Sequence, residues 1–269
     1  MSDSRPIGVF DSGVGGLTVA RAIRERVPDE SLIYVGDAAH FPYGPKPIEE
    51  IRGYALEIAA ELVRRDVKLL VVACNSIEVS AIGDIATAHG VPVVGVINPG
   101  ARAAAAATRN GIVGVIGTVA TIQTGAYQRA IGSSVELHAA ACPAFVEFVE
   151  LGDTSSDELR EAAQRYLAPL RERGIDTLIL GCTHYPLLAD LLQEELGPGV
   201  VLVSSAEETA KDVAGELDRT GRRRVDAEPP ASTYLTTGDP APFRRLAQRF
   251  GGAEVAQVGV LHIDAGARA

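Results

Sequence analysis

The chain has 269 residues and a mass of 28.2 kDa; 46% of its residues are hydrophobic and 22% are charged. This composition excludes disordered and fibrous proteins and supports a proper core in one large or two small domains. The formal charge of -10 and the pI near 5.0 argue against direct nucleic-acid binding or attachment to an acidic membrane, because such a surface repels phosphate. A small molecule or a protein is therefore the expected partner.

The N-terminal sequence has no basic region followed by a long apolar stretch. We therefore expect neither a signal peptide nor a membrane span, and we place the protein in the cytoplasm. The three cysteines, Cys74, Cys142 and Cys182, are an odd number in a reducing compartment, which disfavours a disulfide framework. Packing or thiol chemistry must explain them.

Short β-branched runs alternate with longer amphipathic segments along the chain. This alternation predicts βαβ units, and hence an α/β fold with mainly parallel sheets flanked by helices. A polar stretch at 221–230 is the one long loop that we expect. The predicted buried strands are, in order, Ile7–Phe10, Leu32–Val35, Leu69–Ala73, Val93–Val96, Ile112–Ile116, Leu178–Gly181 and Val200–Val203.

An internal repeat divides the chain into two similar halves. Residues 62–76 align without gaps with residues 170–184, so that a helix end, a turn, a buried strand and a cysteine coincide. The first strand matches the segment 113–117 in a similar way. The repeat predicts two similar α/β lobes related by a pseudo-twofold duplication, with the active site in the cleft between them.

Cys74 and Cys182 occupy matched positions of this repeat, each at the carboxyl end of a strand and each followed by a polar pair. Ligands bind at this edge of open α/β sheets, so two facing lobes would present both thiols to one cleft. A single cysteine after a strand is more often an ordinary buried residue. The matched placement favours a functional pair, whereas Cys142 has no counterpart, which favours packing.

Two thiols on opposite sides of a small ligand can racemise a carbon centre. One thiolate removes a proton while the other thiol returns a proton to the opposite face. Lowering a thiol pKa from about 8.5 to about 7 would require roughly 2 kcal/mol of stabilisation. A cysteine protease would leave one cysteine unused, no zinc-ligand spacing occurs, and none of the lysines follows a predicted strand as pyridoxal phosphate would require. A cofactor-free reaction is the simplest account.

Other polar residues are predicted at the same sheet edge. The glycine-rich turn at 10–18 brings backbone N–H groups towards an anionic ligand, although it matches neither a dinucleotide fingerprint nor a P-loop. Asp11 and Asp37 follow predicted strands and could bind an ammonium group or hold a thiol proton, or could simply cap helices. His184, two residues after Cys182, could share a proton with that thiol or be structural.

Five motifs in a fixed order make the chain similar to bacterial glutamate racemases. The similarity covers nearly the whole chain, and the five motifs in register are far more specific than any one of them. They are residues 11–18, Gly36-Asp37 with Pro42-Tyr43-Gly44, residues 73–76, Gly117-Thr118 with Thr121, and residues 181–186.

The resemblance implies a role for each matching residue. Cys74 and Cys182 would be the two acid/base thiols, one for each enantiomer, and Asp11, Glu150 and His184 would assist proton transfer. The residues expected to bind substrate are Asp11, Ser12, Pro42, Tyr43, Gly44, Asn75, Ser76, Thr118, Thr121, Thr183 and His184, with Asp37 as a further assisting candidate.

The resemblance also implies no cofactor and no metal, and an enzyme that makes D-glutamate for peptidoglycan. Its lobes would comprise residues 1–97 with 211–269, and residues 98–210. Aspartate is the alternative substrate, because the two differ by one methylene, which is worth only about 1–3 kcal/mol. We expect a homodimer. Some family members bind and inhibit DNA gyrase, which leaves a binding role as the alternative from another class.

Two positions depart from the family's common pattern. The family often has Cys-Asn-Thr followed by small residues, whereas this chain has Ser76 and then Ile77 and Glu78. Ser76 keeps the hydroxyl, but Glu78 would raise the Cys74 pKa if it faced the pocket, so we expect Glu78 to point to solvent. Ala38 lacks the hydroxyl that usually follows Gly-Asp, and we expect a modest effect on affinity.

Overall fold

The computed structural model describes residues 3–133, 135–225, 230–251 and 255–263, which form two parallel sheets flanked by helices. This confirms the predicted α/β fold. In chain order the elements are β1 (Ile7–Asp11), α1 (Leu17–Arg26), β2 (Leu32–Gly36), α2 (Ile48–Arg64), β3 (Leu69–Val72), α3 (Asn75–Ala88), β4 (Val93–Val94), α4 (Ile97–Ala107), β5 (Ile112–Gly117), α5 (Val119–Gln123), α6 (Ala126–Ile131), β6 (Glu136–Ala141), α7 (Ala144–Leu151), α8 (Asp157–Glu172), β7 (Thr177–Gly181), a 3₁₀ turn (Tyr185–Leu188), α9 (Ala189–Leu196), β8 (Val201–Val203), α10 (Ala206–Thr220), β9 (Thr233–Thr236), α11 (Pro240–Gly251) and β10 (Gly259–Val260).

The two sheets repeat one strand order. The first sheet has the order β10-β9-β2-β1-β3-β4 and the second has the order β6-β5-β7-β8, and the strand pairs described in both are parallel. The order β2-β1-β3-β4 therefore corresponds strand for strand to β6-β5-β7-β8. This correspondence confirms the predicted duplication and gives β3 and β7, which precede the matched cysteines, equivalent places.

The central strands are apolar because helices cover both faces of each sheet. Every residue of β1, β3 and β7 is buried, as expected for parallel strands between two helical layers. The flanking helices are amphipathic; α8, for example, begins after Ser156, whose hydroxyl accepts the backbone N–H of Leu159 at 3.2 Å. This packing fixes the carboxyl ends of β3 and β7.

The strands differ from the prediction at a few places. All the predicted strands form, but β6, β9 and β10 were not predicted. β6 is a partly exposed edge strand rich in alanine, so it lacks the β-branched run that marks the others. β9 and β10 extend the first sheet beyond β2, which brings the C-terminal segment back to it. The predicted loop has no helix or strand at 221–225 or 230, and residues 226–229 lie outside the described ranges.

Glu78 contradicts the expectation that it points to solvent. It is 7% exposed, and its Oε2 accepts the backbone N–H groups of Val96 and Ile97 at 2.5 and 3.0 Å. These groups open α4, where the first N–H donors have no acceptor within the helix and a carboxylate is favourable. A Cβ at Gly95 would overlap the Glu78 carboxylate, so glycine permits this approach. β4 therefore ends at Val94, before the backbone turns towards Glu78.

The division into lobes at residues 97/98 and 210/211 stays a prediction. Residue 210 lies within α10, a helix that packs against both α1 and α4. In the described ranges, none of the helices is both long and apolar enough to cross a membrane.

Candidate active site

A cavity of about 100 Å³ lies at the carboxyl ends of β1 and β3 from the first sheet and β5 and β7 from the second. Cys74 and Cys182 are both part of its wall, and each is 7% exposed. The structure thus brings the two matched thiols to one cavity. The lining residues that were predicted from the sequence are Ser12, Pro42, Tyr43, Gly44, Cys74, Asn75, Ser76, Thr118, Cys182, Thr183 and His184.

The other predicted residues form a layer behind this wall, and each hydrogen-bonds to a lining residue. Thr121 Oγ1 accepts a hydrogen bond from Thr118 at 3.0 Å, and Asp11 Oδ1 accepts one from Thr183 at 3.4 Å. These side chains therefore contact the wall residues and do not line the cavity themselves. The layer consists of Asp11, Asp37, Thr121 and Glu150.

The neighbours of Cys74 are buried, and none of those described for it is a positively charged side chain. Its thiol donates to Ser12 Oγ at 3.6 Å, and its sulfur accepts the backbone N–H of Ile77 in the first turn of α3. Burial raises the pKa of the Cys74 thiol well above its ordinary value, the Asp11 carboxylate raises it further, and the Ile77 N–H opposes both effects. The thiol is therefore the stable form in this environment.

Cys182 lies beside an imidazole that is itself held by a carboxylate. His184 Nδ1 is 3.7 Å from the Cys182 sulfur, and His184 Nε2 is 2.7 Å from Glu150 Oε1. Burial lowers the pKa of His184, but the hydrogen bonds to Cys182 and Glu150 outweigh it and raise that pKa to about 10. His184 is therefore an imidazolium near neutral pH and stabilises negative charge on the Cys182 sulfur.

Asn75, Ser76 and Thr118 form a polar corner of the cavity at the start of α3. Ser76 Oγ and Thr118 Oγ1 are 2.9 Å apart, which joins the two halves of the chain. Asn75 Oδ1 accepts the Tyr127 hydroxyl at 2.7 Å, while the buried Asn75 Nδ2 has no hydrogen-bond partner among the described residues. Because an unpaired buried donor is unfavourable, this corner suits an anionic ligand group.

Tyr43 is held in the wall by a buried carboxylate. Its hydroxyl donates to Asp37, which is 1% exposed and also accepts Thr237 Oγ1 at 2.5 Å. His40 Nδ1 lies 2.9 Å from the same carboxylate. Since Thr237 follows β9, the C-terminal segment takes part in positioning Tyr43.

The glycine-rich turn allows the two halves to approach each other closely. A Cβ at Gly15 would overlap both the Thr183 hydroxyl and the His184 ring. The turn therefore packs directly against the polar pair that follows Cys182, which only a residue without a side chain permits.

Sequence reasoning missed some of the lining residues. Glu147 lies one helical turn before Glu150 on α7, and this spacing was the available signal. The other missed lining residues, which carry no pattern of their own, are Phe41, Pro45, Val119, Pro143 and Val146.

The third cysteine does not line the cavity. Cys142 is fully buried in the main hydrophobic cluster, which agrees with the packing role predicted from its lack of a counterpart.

The cavity combines two thiols from equivalent strands with a corner of hydroxyl and amide donors. One thiol lies beside a hydroxyl and the other beside an imidazolium. This arrangement can bind an anionic molecule and transfer protons to and from carbon. Among the residues that the structure describes, no group of three or more His, Cys, Asp or Glu side chains could hold a metal ion.

Comparisons with known proteins agree with this chemistry. The family described as Asp/Glu/Hydantoin racemase matches residues 15–213. A curated glutamate racemase from Parafrankia sp. is 57% identical over 258 residues, covering 95% of this chain and 94% of that protein.

Solved structures give the same result. The crystal structure of glutamate racemase from Francisella tularensis in complex with D-glutamate matches with a TM-score of 0.91 at 32% identity, covering 97% of this chain and 99% of that one. An aspartate racemase from Picrophilus torridus matches with a TM-score of 0.57 at 17% identity, covering 82% of this chain and 96% of that one, which shows the fold alone.

Proposed function

Because the chain belongs to the Asp/Glu/hydantoin racemase family, we propose that it is a glutamate racemase, interconverting L- and D-glutamate without a cofactor by proton transfer between two thiols. The observation that carries this proposal is the placement of Cys74 and Cys182 on one cavity by equivalent strands of two duplicated sheets. The curated relatives that span nearly the whole chain and bear the name glutamate racemase support the choice of substrate.

In the proposed reaction, one thiolate removes the Cα proton of glutamate, so that a C–H bond breaks and an S–H bond forms. The other thiol gives its proton to the opposite face of Cα and is left as a thiolate. One proton leaves the substrate and one is added, and the negative charge passes from one sulfur to the other. With substrate bound, each sulfur is expected about 3–3.5 Å from Cα, on opposite faces.

The two thiols differ in the charges around them. Burial and the Asp11 carboxylate favour the thiol form of Cys74, while Cys182 has the His184 imidazolium 3.7 Å from its sulfur. Glu150 fixes the imidazole orientation through Nε2. A positive charge beside Cys182, with none described beside Cys74, suits Cys182 to proton removal and Cys74 to proton donation.

The polar corner formed by Asn75, Ser76 and Thr118 is the proposed site for one substrate carboxylate. The unpartnered Asn75 Nδ2 gains an acceptor when the carboxylate binds. Asp11 acts from behind the wall through Thr183. The remaining proposed binding residues are Ser12, Pro42, Tyr43, Gly44, Thr121, Thr183 and His184, with Asp37 supporting Tyr43.

Several finer assignments belong to this proposal. We place the enzyme in the cytoplasm, where it would supply D-glutamate for peptidoglycan. A homodimer stays a prediction, which sedimentation would test. An interaction with DNA gyrase also stays a prediction, which a supercoiling assay with a Cys74→Ser variant would test. Aspartate is the alternative substrate.

The test is Cα proton exchange in deuterated water, followed by NMR for both enantiomers of glutamate and of aspartate with no cofactor added. Wild type should exchange both glutamate enantiomers, and Cys74→Ser and Cys182→Ser should each lose chiefly one of them. Exchange of aspartate in preference to glutamate would move the assignment to aspartate racemase. No exchange of any of the four substrates would refute the racemase assignment.

A further inference from the structure

Helix α11 joins the C-terminal segment to the Cys182 side of the cavity. Near its start, Phe243 is 3% exposed and packs against Gly36, the last residue of β2. The contact is so close that a Cβ at Gly36 would overlap the Phe243 ring. Two turns later, Phe250 contacts His184 in the second half of the chain. One helix therefore contacts both the first sheet and the group beside Cys182.

Phe250 is part of an aromatic enclosure around the His184 ring. It is 1% exposed, and its ring centroid lies 5.5 Å from that of His184 with the two planes at 74°. Phe41 flanks the same imidazole at 5.9 Å. The Phe250 contact is edge-to-face, a favourable geometry for aromatic pairs, and burial between the two rings restricts rotation of the imidazole. The orientation matters because Nδ1 must face Cys182 while Nε2 faces Glu150.

Arg249, the residue before Phe250, contacts the C-terminal end of α7, the helix that carries Glu150. Its guanidinium donates to the backbone oxygen of Gly152 at 3.1 Å. Gly152 ends α7 in the left-handed region with φ of 81°, and Glu150 lies two residues before it. Two consecutive residues of α11 thus contact His184 and the helix end that carries Glu150.

We propose that α11 is a positioning element for the Cys182 half of the reaction, in which Phe250 holds the His184 ring and Arg249 holds the end of α7. This inference rests on the proposed racemase function. The neighbours described for Cys74, namely Ser12 and Ile77, lie on other elements. Disturbing the end of α11 should therefore affect one proton transfer much more than the other.

The experiment compares Phe250→Leu with Phe243→Leu, the same substitution of a buried ring in the same helix. Exchange and racemisation are followed together by NMR in deuterated water from each glutamate enantiomer. The enantiomer whose exchange is lost in Cys182→Ser is called the Cys182 enantiomer, and the one whose exchange is lost in Cys74→Ser is called the Cys74 enantiomer. Phe250→Leu should slow racemisation and exchange of the Cys182 enantiomer about tenfold, because small misplacements of a catalytic group have effects of this size. Exchange of the Cys74 enantiomer should stay within about twofold.

If α11 only supported the fold, the exchange rates of both enantiomers would fall together. Phe243→Leu should change both exchange rates by a common factor, and the same pattern in Phe250→Leu, or unchanged racemisation, would overturn the proposal. If Phe250→Leu does not fold, Arg249→Gln provides the test. This variant should slow exchange of the Cys182 enantiomer about threefold and leave exchange of the Cys74 enantiomer unchanged. Equal losses for both enantiomers in that variant would overturn it too. Absence of exchange in wild type would instead refute the racemase function itself.

Discussion

Replacing Glu78 by glutamine should remove a pH dependence of folding stability. Glutamine keeps a carbonyl oxygen that can accept the N–H groups of Val96 and Ile97, so it retains the contact at the start of α4 but cannot ionise. Any change in the pH dependence of unfolding therefore reports the ionisation of Glu78 rather than loss of the contact.

The magnitude follows from the pKa of this carboxyl group in the two states. Burial raises the pKa of Glu78 to about 7 in the folded protein, against an opposing effect of the two N–H groups, while its ordinary value is 4.5. Between these values the folded state binds more protons, so stability falls as the pH rises from 4.5 to about 7 and then levels off. At about 1.36 kcal/mol per pH unit, the loss is about 3 kcal/mol.

The assay is urea unfolding of wild type and Glu78→Gln at several values between about pH 5 and pH 8. The difference in unfolding free energy, variant minus wild type, should increase by about 2.5 kcal/mol between the lower and the upper end of this range. Glu49→Gln, an exposed position in the first turn of α2, controls for the removal of a surface carboxylate. Parallel pH profiles for wild type and Glu78→Gln would refute the reasoning.

Three further substitutions test other parts of the structure. Gly95→Ala should lower the unfolding free energy by about 1–3 kcal/mol in chemical denaturation, because its Cβ would overlap the Glu78 carboxylate; wild-type stability would contradict that contact. Asn75→Ala should raise the KM for both enantiomers about tenfold in steady-state racemisation assays, because the substrate carboxylate loses a donor, and an unchanged KM would place the carboxylate elsewhere. Cys142→Ala should lower stability by about 1 kcal/mol and leave the racemisation rate at its wild-type value, whereas a large loss of rate would give this third thiol a function.

The residues whose place in the cavity wall could be predicted come from local pattern and from the repeat. Cys74 and Cys182 could be placed because a cysteine after a buried strand at a sheet edge has a fixed position in α/β folds. The repeat could also have predicted the strand β6, which was missed. Since β1 pairs with both β2 and β3, the matching half requires a strand beside β5, and that strand is β6.

The parts that the sequence could not predict depend on contacts between distant segments. Glu78 was expected to face solvent because a carboxylate facing the pocket would raise the pKa of Cys74, and nothing local shows that α4 begins beside it. Phe250 and Thr237 reach the site only because the chain returns to the first sheet with β9 after it has formed the whole second sheet. No periodicity within their own segments encodes that return.

The shared strand order of the two sheets has a consequence for the energy profile of the reaction. L- and D-glutamate have equal free energies in water, so an enzyme that interconverts them cannot favour one product at equilibrium, whatever surrounds its bases. Yet Ser76 and His184 occupy matched positions of the repeat, and they differ in what they contact. His184 lies beside its thiol, whereas Ser76 hydrogen-bonds to Thr118 and the Cys74 thiol hydrogen-bonds to Ser12 instead. That inequality can only change how the barrier is divided between the two proton transfers. In the proposed reaction, the duplicated framework sets where the thiols lie, and the residues that depart from the duplication would decide which transfer limits the rate.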